Sequence, residues 1–135
     1  MNPDRDALLL SLRPAIAAEL PAEADGTAGD FLHRTLRPVL KLQNERLLAA
    51  VAAFLREHHV PYPLASPQEQ ARHLRELLGR NVKLRYTIVG LITAMFTGAE
   101  AAFYDQHRAE LNRRLLELAQ RRALDQAATI ASRLA

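Results

Sequence analysis

Apolar positions recur at spacings of three and four along nearly the whole chain, and no stretch carries the alternation of a strand. The longest apolar run without a charge extends from Tyr86 to Phe96. It is too short to cross a membrane, which takes about 20 apolar residues. A helix apolar on every side is one enclosed by other helices. The pattern therefore predicts an all-α bundle of about five helices around a buried apolar central helix at 82–96, with two long helices at 28–58 and 98–134.

Helix boundaries can be read from caps and breakers. Asn2 caps a first helix with Pro3 at its first position, and Asp4 and Asp6 face the positive end of its dipole. Leu8, Leu9, Leu12, Ile16 and Leu20 form its apolar stripe, and Pro14 bends or breaks it. Thr27 and Asp30 have the spacing of a capping box with Asp in place of Glu, and open the second helix. Pro38 predicts a kink there. Gln43 falls on its apolar stripe, where a buried amide must find partners. Pro61-Tyr62-Pro63 forces an extended connector. Ser66-Pro67-Gln68-Glu69 is a helix start, with Leu74, Leu77 and Leu78 buried and a stop at Gly79. Asn81 caps the central helix.

Thr97 and Glu100 form a second capping box, and neither Gly nor Pro occurs from Ala99 to Ala135. An unbroken last helix is about 55 Å long at 1.5 Å per residue. A globule of this chain length has a radius of gyration of about 14 Å, so the helix is expected to project. Its far half carries Leu116, Ala119, Ala123, Ala127, Ile130 and Leu134 on one stripe. That stripe calls for a partner, either the other long helix or a second copy of the chain. A two-fold homodimer is favoured, which makes 116–135 a dimerisation extension of a single domain spanning 1–135.

Composition adds limits. The 135 residues are 49% apolar and 24% charged, the profile of a folded domain. With no cysteine there is no disulfide frame, thiol nucleophile or thiolate metal site. The N-terminal segment lacks the basic start of a signal peptide, and Leu8 to Leu10 is too brief an apolar core for one. A cytoplasmic location is the expectation, with no membrane association.

Five histidines raise the question of a metal. Di-metal bundles use Glu-x-x-His on two helices, and this chain has none. Asp30 with His33, and Glu69 with His73, come nearest. No metal and no cofactor is called for, and His58 with His59 reads as favourable charge at a helix C-terminus. Glu100, Tyr104 and His107 share one face of the last helix beside Phe96 and Phe103. Such a set suits acid–base chemistry or a binding wall, although the capping box already accounts for Glu100. Without a nucleophile, an oxyanion donor or a metal, no catalytic set is identified, and an enzyme is not the expectation. Together with Gln43 and Tyr86, these residues mark a candidate ligand pocket between the second, fourth and fifth helices.

The formal charge is +3 and the pI about 9.8, with only two lysines among 18 basic residues. The densest basic segment holds Arg72, Arg75, Arg80, Lys83 and Arg85 against Glu76, and is the candidate anion-binding site. A helix-turn-helix is a poor fit, because the following helix becomes wholly apolar, so nucleic acid is disfavoured. Glu76 can pair with Arg72 and Arg80, Glu110 with Arg114, and Glu117 with Arg121. The leading expectation is a small helical interaction or regulatory protein that acts as a homodimer and engages a protein partner. A small-molecule-binding bundle is the second, and an anion or nucleic-acid binder using Arg72 to Arg85 the third.

Overall fold

The computed structural model describes residues 2–15 and 20–135. Every regular element among the described residues is helical. Helix α1 is Pro3–Leu12. A helical course from Ala28 to Glu57 contains α2 (Ala28–Phe31), a π-helical stretch (Leu32–Leu36), α3 (Arg37–Leu42) and α4 (Asn44–Glu57). Then follow α5 (Pro67–Arg80), α6 (Val82–Thr93), α7 (Gly98–Gln106), α8 (Arg108–Asp125) and α9 (Ala127–Leu134). Among the described residues, no helix is long and apolar enough to cross a membrane.

The caps sit where the sequence puts them. The side chains of Asn2, Thr27, Ser66, Asn81 and Thr97 each accept from a backbone N–H three residues on. At Thr97 the box is complete, since Glu100 Oε1 accepts the Thr97 N–H at 2.8 Å. At Thr27 it is half complete, because the Asp30 carboxylate is taken by Arg34 at 3.0 Å. The kink expected at Pro38 takes the form of the π-helical stretch just before it. Proline lacks an N–H and crowds the carbonyl four residues back, and a wider turn relieves both.

The core is formed where α4, α6, α8 and α9 meet. Leu47, Leu48 and Val51 of α4 and Leu84, Ile88 and Ile92 of α6 are all but fully buried there. Helix α6 is thus buried along one face, but it is not enclosed on every side. Val82 is 63% exposed and Tyr86 71%. Its main neighbours are α4, α5 and α8, and among the described residues no helix covers Val82 and Tyr86.

The last helix is not one rod. It breaks at His107 (φ −129°, ψ 30°) and at Gln126 (φ −118°, ψ 28°). At the second break Gln126 exchanges paired amide bonds with Asn44, both at 2.8 Å. These bonds turn α9 back along α4. Tyr62, held between its two prolines, is fully buried and donates to the Ala127 carbonyl at 2.8 Å.

Helix α1 also departs from expectation. It contains no buried residue, and Leu8, Leu10 and Leu12 are each more than half exposed. Ile16 of the expected stripe lies outside the described residues. Arg13 is extended (φ −73°, ψ 129°), the conformation imposed on a residue before proline. That turn sends its guanidinium onto Glu100, at 2.5 and 2.6 Å. Arg5 caps the Ala94 and Phe96 carbonyls, at 3.2 and 3.1 Å, and Asp6 accepts the Gly98 N–H at 3.1 Å. Polar contacts, rather than a leucine stripe, hold α1 on the α6–α7 corner.

Candidate functional site

A groove of about 660 Å³ runs between the π-helical stretch with α3 on one side and α8 on the other. Its walls bring together Arg37 from α3 and four arginines from α8: Arg113, Arg114, Arg121 and Arg122. Two carboxylates, Glu117 and Asp125, share those walls, and Leu32 and Leu118 supply apolar surface. Five guanidinium groups therefore meet two acids in a space the size of a small-ligand site.

The two ends of the groove differ. Toward the start of α8 the charges are engaged, with Arg113 on Glu117 at 3.1 Å and Arg114 on Glu110 at 3.3 Å. The expected Glu117–Arg121 pair does not form, because Glu117 reaches one turn back instead of one turn forward. At the other end, Arg37, Arg121 and Arg122 have no carboxylate within 4.0 Å among the described residues. Arg37 meets only the His33 ring, at 3.3 Å. Arg122 donates to Asn44 Oδ1 at 3.2 Å. That oxygen also accepts from Gln126, so the pair that breaks the last helix orients Arg122 as well. Burial lowers the pKa of Arg122 below the ordinary guanidinium value, and the like charge of Arg37 lowers it further; the attraction of Asp125 is smaller. A half-buried cation facing a second cation is a local excess of positive charge, and a bound anion would relieve it.

The residues expected to line a ligand pocket do not converge. Gln43 stands at the turn between α3 and α4 and donates to the Leu91 carbonyl at 2.9 Å. Met95 N–H bonds Ile92 rather than Leu91, and Gln43 fills the vacancy at the end of α6. Tyr86 faces solvent. Tyr104 is buried and donates to Asn112 Oδ1 at 2.6 Å, under the Arg108 guanidinium. His107 stacks on Phe103 with centroids 4.3 Å apart, and its Nδ1 lies 3.0 Å from the Phe103 carbonyl. Glu100 holds Arg13, the Thr35 hydroxyl at 2.8 Å and the Thr97 N–H. Burial raises its pKa, but Arg13, the Thr97 N–H and Thr35 outweigh this and hold it below 4.5. A cavity of about 250 Å³ beside Glu100, against Phe31 and Phe103, is mainly apolar.

The expected anion site is dispersed. Arg72 is taken by Glu69 at 2.6 Å and Glu76 at 3.2 Å. Arg85 caps the end of α5 through the Leu78 and Gly79 carbonyls. Arg75, Arg80 and Lys83 are exposed, and the last two lie on either side of the α5–α6 corner. Of the far stripe, Ala119, Ala123 and Ile130 are fully buried inside the single chain, while Leu116, Ala127 and Leu134 are half-buried against the same core. The intramolecular alternative, packing along the other long helical course, is the one this stripe adopts. Among the described residues, no three His, Asp or Glu side chains are placed to hold one metal ion.

Sequence reasoning missed the groove. The available signal was two Arg-Arg doublets eight residues apart, Arg113-Arg114 and Arg121-Arg122, about 12 Å along one helix. What no spacing rule supplies is Arg37, which tertiary packing brings from a segment 85 residues away from Arg122. No protein-family model matches the chain, and no curated protein and no solved structure matches it either.

Proposed function

We propose that this chain is a binding protein for an anionic ligand, held in the groove between α3 and α8. The observation that carries the reading is the set Arg37, Arg121 and Arg122, which form no ion pair among the described residues, at one end of a ligand-sized groove. Arginine suits this task, since its planar fork donates two parallel hydrogen bonds to an oxyanion and stays charged at any physiological pH. The test is calorimetric titration with inorganic pyrophosphate in low salt. Binding that weakens as salt rises, and that is lost in Arg37→Gln/Arg122→Gln but kept in Arg75→Gln/Arg80→Gln, supports the reading. Absence of binding to the wild-type chain, or its survival in the groove variant, refutes it.

A second reading is a homodimer formed through α1 rather than through the C-terminal stripe. It is favoured by Leu8, Leu10 and Leu12, which are 67, 52 and 56% exposed on a helix that buries nothing of its own. A ten-residue helix has little stability by itself, and a two-fold partner would cover Leu8 and Leu12, which lie one turn apart on one face. Sedimentation equilibrium of the wild-type chain and of Leu8→Ser/Leu12→Ser tests it. A monomeric wild-type chain ends this reading.

A further inference from the structure

The groove also carries information about what kind of anion it takes, and this inference rests on the anion-binding reading. Arg37 and Arg122 come from different elements and line the same groove from opposite walls, so their like charges face one space. A single carboxylate would neutralise one of them. A phosphate monoester above its second pKa of about 6 carries close to two charges. Its three terminal oxygens can accept from two planar forks at once. The charged and titratable groups facing this end are His33 and Arg37 on one wall, and Glu117, Arg121, Arg122 and Asp125 on α8. Glu117 is already bound to Arg113, and the repulsion of Arg37 exceeds the pull of Asp125 on Arg122.

The seat is also built in advance. The Asn44–Gln126 amide pair holds Arg122 from behind through Asn44 Oδ1. One turn before Arg122 along α8, Leu118 turns the wall apolar, with Leu40 and Leu32 also lining the groove. Beyond it the arginines are already paired, at Arg113 and Arg114. The space between the two doublets is about 12 Å long at 1.5 Å per residue. We propose that the Arg37–Arg122 end seats the phosphate of a small organic phosphate monoester, and that the apolar body of the ligand lies over Leu118 and Leu32.

Phenyl phosphate and phenyl sulfate have the same shape and differ by one charge at pH 8. Titrating the full chain at that pH with both, and with inorganic phosphate, separates the elements of the proposal. Phenyl phosphate is expected to bind about tenfold or more tightly than phenyl sulfate, the value of one further charged hydrogen-bonded contact. It is also expected to bind more tightly than inorganic phosphate. Arg37→Gln changes an exposed side chain bonded only to His33. It should abolish the preference for phosphate over sulfate without disturbing the fold, whereas Arg75→Gln should leave it intact. Arg122→Gln should act like Arg37→Gln, but it also loosens Asn44, so Arg37→Gln is the decisive variant. Equal binding of phenyl phosphate and phenyl sulfate overturns the dianion seat while leaving the groove an anion site. Equal binding of phenyl phosphate and inorganic phosphate removes the apolar body. If none of the three binds, both the inference and the reading under it fall.

Discussion

Replacing Glu100 with Gln should loosen α1 and cost the protein a large share of its stability. Glu100 accepts both Arg13 contacts, the Thr35 hydroxyl and the Thr97 N–H. Its side chain is 15% exposed and that of Arg13 9%, so the pair is close to buried. Gln keeps the shape but removes the charge and turns an N–H group toward a guanidinium. Leaving one member of a buried pair without its partner costs about 3–5 kcal/mol. The residual exposure and the surviving amide acceptor put the value at the lower end, about 3 kcal/mol. A domain of this size has about 5–15 kcal/mol in all. Urea unfolding at pH 7 should show a lower midpoint with an unchanged slope. Amides of Pro3–Leu12 should lose hydrogen-exchange protection before those of α4, because α1 is held on by Arg5, Asp6 and Arg13 and has no buried residue. In Glu100→Gln/Arg13→Met the two losses should not add, since an apolar residue in place of the unpaired cation recovers part of the cost. A loss below about 1 kcal/mol, within the range of exposed pairs, would refute the claim that this pair fastens α1. The same contact sets an acid limit. The Glu100 carboxyl has a lower pKa in the folded chain than its ordinary 4.5. Its contribution is therefore complete above that value and is lost as pH falls below it.

Other expectations concern single contacts. Tyr62→Phe removes the side-chain hydrogen bond to the Ala127 carbonyl and should cost about 1 kcal/mol in urea unfolding. Burial raises the Tyr62 phenol from 10.0 to about 12. The stability it contributes is thus complete below pH 10 and should fall between pH 10 and 12 in the wild-type chain, but not through this group in Tyr62→Phe. Gln43→Ala uncovers the Leu91 carbonyl at the end of α6 and should lower stability by about 1–2 kcal/mol. Hydrogen exchange should then rise first around Leu91 to Met95. If Gln43→Ala is neutral, the amide is not acting as a cap.

Short-range chemistry was legible in the sequence and long-range geometry was not. Asn2, Thr27, Ser66, Asn81 and Thr97 cap helices because each cap is settled within four residues. Pro38 marks its distortion for the same local reason. The breaks at His107 and Gln126 have no breaker residue. The second is made by an amide pair with Asn44, 82 residues away. The stripe of Ala119, Ala123 and Ile130 looks the same in sequence whether it is covered within the chain or by another molecule. Tyr86 shows the converse. It opens the uncharged run to Phe96, yet which face of α6 remains open depends on how many helices surround it. The groove belongs to this second class too. The α8 doublets are visible in the sequence, while their opposition to Arg37 arises only when α3 and α8 are brought together.

The proposed anion site lies between α3 and α8 rather than on the Arg72–Arg85 segment. Side-chain Nε–H spectra of the ¹⁵N-labelled protein during titration with phenyl phosphate test this residue by residue. Shifts are expected at Arg37, Arg121 and Arg122 that saturate together, with Arg75 and Arg80 unmoved. Shifts confined to Arg75, Arg80 and Arg85, or absent from every arginine, would contradict it.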